Sequence, residues 1–235
     1  VQIEICRRTG DIIPREAIQG LIDRLEEAGF LDSPALRERI AAEARAFVAS
    51  AARRTAHAGL SYDADPETMG PWIDRLLDVA AAPIQLSPVR GLLAPHIDPR
   101  RGASVYGSAY RAVSDSRAER IVVLGISHSG GRLPFATLAK DFETPFGLCP
   151  VDHDFIAQLA EGLPFDPQEE QLLHRREHSI EFQLVFLRHL LGGWERRRIV
   201  PILCCFPWTV DDRPGSVPYP REWIDRFIER LAESI

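Results

Sequence analysis

Apolar residues recur along this chain in two rhythms. Downstream of Pro14, Ile18, Leu21, Ile22 and Leu25 fall at i, i+3, i+4 and i+7, the single stripe of an amphipathic helix. Gly29 is a natural stop for it. Ser33-Pro34 joins an N-cap to a first-turn proline and predicts a second helix carrying Leu36, Ile40, Phe47 and Val48. Val1 to Cys6 alternates weakly and predicts a short strand. A strand and two short helices over residues 1–56 fit either a winged-helix-like module or a helical cover for the main domain. His57 to Tyr62 reads as a turn-like junction. The next helix carries Trp72, Ile73, Leu76 and Leu77, and Pro71 predicts that it starts near there. Ala80 to Pro88 reads as a linker.

From Val89 the rhythm changes to short, continuous apolar runs. Arg90 to Ala94 ends at Pro95-His96, and Arg120 to Gly125 ends at Ser127-His128-Ser129. A helix with Val105, Ala109, Tyr110 and Val113 lies between them. Strand, helix, strand with no alternation predicts an α/β domain whose sheet is mainly parallel and covered by helices. Further strands are predicted over 133–138 and 199–206, with Pro201 marking an edge or a bulge. Helices are predicted over 152–163, over 177–191 with Ile180, Leu184, Leu187 and Leu191 on one stripe, and over 220–235.

Composition narrows the picture. With 235 residues the chain holds one good-sized domain, or one domain and a small appendage. Hydrophobic residues make up 45% and charged residues 26%, so the chain is neither disordered nor a disulfide-stapled miniprotein. The net charge of −6 argues against nonspecific binding to nucleic acid or to an anionic membrane surface, short of a local basic patch. No apolar run is long enough to span a bilayer. The four cysteines form no CxxC pair or regular framework, which points to a reducing, cytoplasmic setting. The start at Val1 and the uncapped helix running to Ile235 suggest a trimmed chain.

The chemistry centres on histidines. His96 and His128 each follow an apolar strand, where ligands bind in open α/β sheets. Imidazoles on neighbouring strands can converge on one metal ion, and each alone reads equally as a loop residue bonding backbone. His178 and Glu181 stand at i and i+3 on one helix face, as a base with its orienting carboxylate or as polar decoration of a first turn. His57, His174 and His189 read as surface or interface residues. Cys204 and Cys205 read as core residues of a strand. Gly-rich phosphate loops and a G-x-S-x-G elbow are absent, so nucleotide and acyl-serine chemistry have no support.

Several motifs occur in order: Ala58-Gly59-Leu60-Ser61-Tyr62 with Asp65-Pro66, Leu93-Ala94-Pro95-His96, Leu124-Gly125-Ile126-Ser127-His128, Asp141 to Gly147, Glu177-His178-Ser179-Ile180-Glu181 and Ile199 to Leu203. Over residues 57 to about 206 they resemble the Memo-like family, the B protein of the AmmeMemoRadiSam system. The resemblance implies the fold of class III extradiol dioxygenases, which are non-haem iron enzymes. It implies that His96 and His128 are metal ligands and that His178 serves as acid/base; Glu181, by its place on the same helix face, is the candidate carboxylate beside it. The implied metal is Fe(II), with Zn or Cu as alternatives. The third ligand of the family lies in a later Ser-x-Asp-x-x-His-x-Gly motif that residues up to Ile235 do not contain. The expected organisation is therefore an N-terminal extension over 1–56 and a Memo-like α/β domain over 57–235 without its C-terminal part. Two functions stay open: a metal-dependent oxidoreductase of unknown substrate, or a non-catalytic adaptor that keeps the fold and pocket. Expected partners are a small-molecule or peptide ligand and proteins of the AmmeMemoRadiSam set, not nucleic acid or membrane.

Overall fold

The computed structural model describes residues 2–80, 89–205 and 219–235. The chain divides into two compact units, Val1–Ala49 and Ser50–Ile235. The division precedes the expected boundary at residue 56, because Arg53 and the residues after it are built into the second unit. The expected linker at 80–88 lies almost wholly outside the described residues.

The first unit holds α1 (Gln2–Thr9), α2 (Arg15–Glu27) and α3 (Pro34–Ala49). The strand expected at its start is a helix. Arg8 and Arg7 reach Glu4 at 2.7 and 3.4 Å, one turn away, and Thr9 donates to the Ile5 carbonyl. Without a strand among its described residues, this unit has no wing. Gly29 ends α2 with φ +77°, and the Ser33 hydroxyl caps α3 by accepting from Leu36 N at 3.2 Å.

The second unit runs β1 (Ala52–Arg53), α4 (Pro66–Val79), α5 (Ala103–Arg111), β2 (Arg120–Ser127), β3 (Phe135–Thr137), β4 (Asp141–Thr144), β5 (Gly147–Cys149), α6 (His153–Ala160), α7 (His178–Leu190), β6 (Arg198–Cys205) and α8 (Arg221–Ser234). It is an α/β unit with two three-stranded sheets, ordered β1-β4-β5 and β2-β6-β3. The expected mainly parallel sheet is replaced by two mixed ones. In each, one pair is parallel (β1 with β4, β2 with β6) and one antiparallel (β4 with β5, β3 with β6). The β4–β5 reversal is a tight hairpin, closed by Gly147 at φ +111° and by Thr144 Oγ1 donating to the Gly147 carbonyl.

Three further expectations need correction. Arg90–Ala94 forms no strand, and Leu93 is 97% exposed. The run is short and bounded by Gly91 and Pro95, both of which weaken strands. Helix α4 starts at Pro66, not near Pro71, since Asp65 caps it by accepting from Glu67 N at 3.0 Å and Pro66 fills the first turn. Pro201 sits in the central strand β6, without a bulge. Cys205 N donates to the Pro134 carbonyl, so alternate amides of β6 face β3. Since β3 ends at Thr137, opposite Ile202, the missing donor of Pro201 falls just past its end.

Helix α7 is the axis of the core. It buries every residue from Ser179 to Leu187, packing on β2 on one side and on β4 and β5 on the other. Six of these nine residues are apolar, and the three polar ones, Ser179, Glu181 and Gln183, are each hydrogen-bonded. Phe186 stacks on Tyr106 and Tyr110 of α5 at 4.7 and 4.9 Å. No helix among the described residues is long and apolar enough to cross a membrane.

Candidate metal centre

The site is assembled where the end of β2 meets the start of α7. Gly125 lacks the Cβ that would sit 2.5 Å from Ile180 and 2.6 Å from the Ser179 hydroxyl, so the helix can press against the strand. The Ser179 hydroxyl then donates to the Ile126 carbonyl and accepts from Ile126 N, both at 3.0 Å. His128 stands just beyond Ile126 at the end of the strand, and His178 just before Ser179 at the start of the helix.

Glu177 completes the joint. As the N-cap of α7 it accepts from His178 N at 2.8 Å and Ser179 N at 2.9 Å. It also accepts from His128 N at 2.9 Å, and lies 3.0 Å from His128 Nδ1. Four donors converge on one buried carboxylate. Burial opposes its charge, but the amides of His128 and Ser179 and the His128 ring outweigh this and hold its pKa below the usual carboxylate range. With Nδ1–H donated to Glu177, His128 presents Nε2 as a free acceptor.

His128 and His178 stack at 4.5 Å, and His96 lies 5.2 Å from His128 and 6.0 Å from His178, centroid to centroid. His96 arrives on a loop instead of a strand end. That loop is pinned on both sides: Gln183 Nε2 donates to the Pro95 carbonyl at 3.0 Å, and Tyr106 OH to the Ile97 carbonyl at 2.9 Å. Burial, with the neighbouring imidazoles adding to it, lowers the pKa of His178 against the opposing pull of Glu177, which favours the neutral ring. Single atoms of His128, Glu177 and His178 lie within 4.8 Å of one another, a spacing that could hold a metal ion.

Glu181 shares a face with His178 on α7, but its carboxylate turns the other way. It is 1% exposed and pairs with the fully buried Arg53, accepts from Tyr62 OH at 2.6 Å, from His57 N at 2.9 Å and from Ala56 N at 3.0 Å. The carboxylate that meets the imidazoles is Glu177, one residue before the helix. Arg53 also donates to the His174 and Glu177 carbonyls, at 3.0 and 2.8 Å, tying β1 to the approach of α7.

One other histidine falls in an unexpected place. His174, expected at the surface, is 1% exposed, with Nε2 donating to the Ala136 carbonyl at 3.1 Å. Its burial pushes the pKa down to about 3. His57 is half-buried, with its ring 5.6 Å from that of His178, in keeping with an interface residue. His189 bonds Asp74 at 2.7 Å. All four cysteines are free thiols, and Cys205 is buried in β6. The sequence reading missed Glu177, Gln183, Arg53 and His57. Only Glu177 carried a signal, its place just ahead of the helix as a cap.

A family model described as Memo-like protein matches residues 53–210. A MEMO1 family protein of Aquifex aeolicus is 32% identical over 190 residues, which is 81% of this chain and 50% of that protein. One from Thermus thermophilus is 32% identical over 204 residues, covering 86% of this chain and 60% of the relative. A memo-1 homolog of Caenorhabditis elegans is 32% identical over 169 residues, 70% of this chain and 44% of its own. The chain thus spans about half the length of the curated relatives it matches.

Proposed function

The chain belongs to the Memo-like protein family, and from that premise we propose that its histidine cluster is a mononuclear metal centre with oxidoreductase chemistry of the extradiol dioxygenase type. The observation that carries this reading is the clustering of the His96, His128 and His178 rings, with centroids 5.2, 6.0 and 4.5 Å apart, and Glu177 beside the His128 ring. An imidazole-rich donor set suits Fe, Zn and Cu, and Fe(II) is favoured through the resemblance to the dioxygenases. His96 and His128 hold the ion, and His128 uses Nε2. Glu177 is the outer partner that fixes the ring, because its oxygens already serve three backbone amides. When bound, such an ion with open positions supplies Lewis acidity and, as iron, electron transfer with O₂.

The remaining chemistry belongs to the chain itself. His178, held neutral, takes a proton from an acidic hydroxyl of the substrate on its free ring nitrogen. The substrate class is a small molecule with an ionisable hydroxyl, such as a catechol. The test is titration of metal-stripped protein with Co(II), followed by O₂ uptake of the Fe(II)-loaded protein with catechols. Stoichiometric Co(II) binding abolished in His96→Ala and His128→Ala supports the centre, and equal binding by all three proteins refutes it. A metal-loaded protein that consumes no O₂ with any catechol turns the reading to a binding or adaptor role.

A further inference from the structure

We infer that His57 is a fourth imidazole of this centre, a positioning residue that holds the ring of His178 in place. Its ring meets that of His178 edge-on, with centroids 5.6 Å apart and planes at 68°. It meets Phe182 in the same way at 5.6 Å and 74°. Phe182 lies one helical turn beyond His178 and packs against it at 5.1 Å. His178 is thus enclosed by His128 stacked on one face and by His57 and Phe182 elsewhere.

His57 is held at both ends. Its Nε2–H donates to the Arg176 carbonyl at 2.9 Å, which fixes the ring's rotation. Its backbone N–H and that of Ala56 donate to Glu181. Glu181 is in turn locked by Arg53 and by Tyr62, all three essentially without solvent exposure. A buried ion pair is an expensive way to stabilise a fold, and a hydrophobic pair of the same size often does as well. Here it does something a hydrophobic pair cannot. It supplies an acceptor for two successive backbone amides and so sets the path of the chain that carries His57. Glu181 reaches the site through His57, not by touching the reacting atoms.

An edge-on ring contact needs a ring, so shape and hydrogen bonding can be separated by substitution. The first readout needs no metal: imidazole NMR of metal-free protein, following the His178 ring and its cross-relaxation with His128. In His57→Ala the His178 signals should broaden or shift and the contact with His128 weaken, while His57→Phe keeps both close to wild type. The second readout rests on the metal-centre reading: catechol-dependent O₂ uptake of the Fe(II)-loaded protein should fall in His57→Ala and recover in His57→Phe, with Co(II) affinity unchanged in both. Circular dichroism confirms that each variant is folded. Unchanged His178 signals in His57→Ala overturn the inference, and so does an equal loss in the Ala and Phe variants. A wild-type protein that takes up no metal defeats the metal centre alone, and the NMR comparison still judges His57.

Discussion

At the residue scale the site divides into side chains that face the proposed metal position and side chains that hold them. His178→Ala should leave folding and Co(II) uptake intact and reduce any O₂-consuming turnover by about 10²–10⁴-fold, the usual contribution of a general base. Loss of Co(II) binding in that variant would instead make His178 a ligand. Glu177 stays charged below the usual carboxylate pH range, and Glu177→Gln should loosen His128 and weaken metal binding without removing the histidines. Arg53 and Glu181 are a mutual dependency. Arg53→Met should cost about 3–5 kcal/mol in urea unfolding, because it strands a buried carboxylate. Adding Glu181→Leu should recover part of that loss but not all, since Tyr62 OH and two amides lose their acceptor. The histidines at 96, 128 and 178 were legible because each ends an apolar run or opens a helix. Arg53 was not, because nothing in a lone arginine marks it for burial until its partner 128 residues away is known.

At the element scale, α7 and β2 govern the site through one missing methyl group. Gly125→Ala should cost about 1–3 kcal/mol, as overpacking does, and push the first turn of α7 away from the strand. Metal affinity should drop with stability, and a stability loss with unchanged affinity would detach the α7–β2 joint from the centre. Helices with a clear stripe or cap, α2, α3, α7 and α8, were readable from the sequence. Strands β2, β3 and β6 were readable as apolar runs, but β1, β4 and β5 were not, the runs at Val1–Cys6 and Arg90–Ala94 form no strand, and the pairing was not readable. Direction and partner depend on where β3 and the β4–β5 hairpin fold back, and a local pattern does not carry that. His174 adds a pH signature to the same region. An unfolded histidine titrates near 6.5 and the folded one at about 3, so between these values the unfolded state binds more protons. Its contribution to stability is complete above about pH 6.5 and is lost as the pH falls toward 3. Urea unfolding from about pH 7 down to about pH 4 should show this slope in the wild type and a flatter one in His174→Gln; parallel slopes would contradict it.

At the scale of the whole molecule, the division after Ala49 predicts where a protease enters. Limited digestion should cut first near Ser50-Ala51 and spare Arg53 to Tyr62, which Glu181 ties into the second unit. First cuts inside 53–62 would show that this tie is weak. The same tie has a bearing on how the protein is made. Arg53 leaves the ribosome 128 residues ahead of Glu181. At about 5–20 residues per second, that is a wait of roughly 6–25 s during which the guanidinium, Tyr62 and His57 have no carboxylate to gather around. These groups are therefore translated early and organised late. A nascent chain halted before α7 would carry a site that cannot form, so the proposed metal centre would be incomplete until most of its domain has been synthesised.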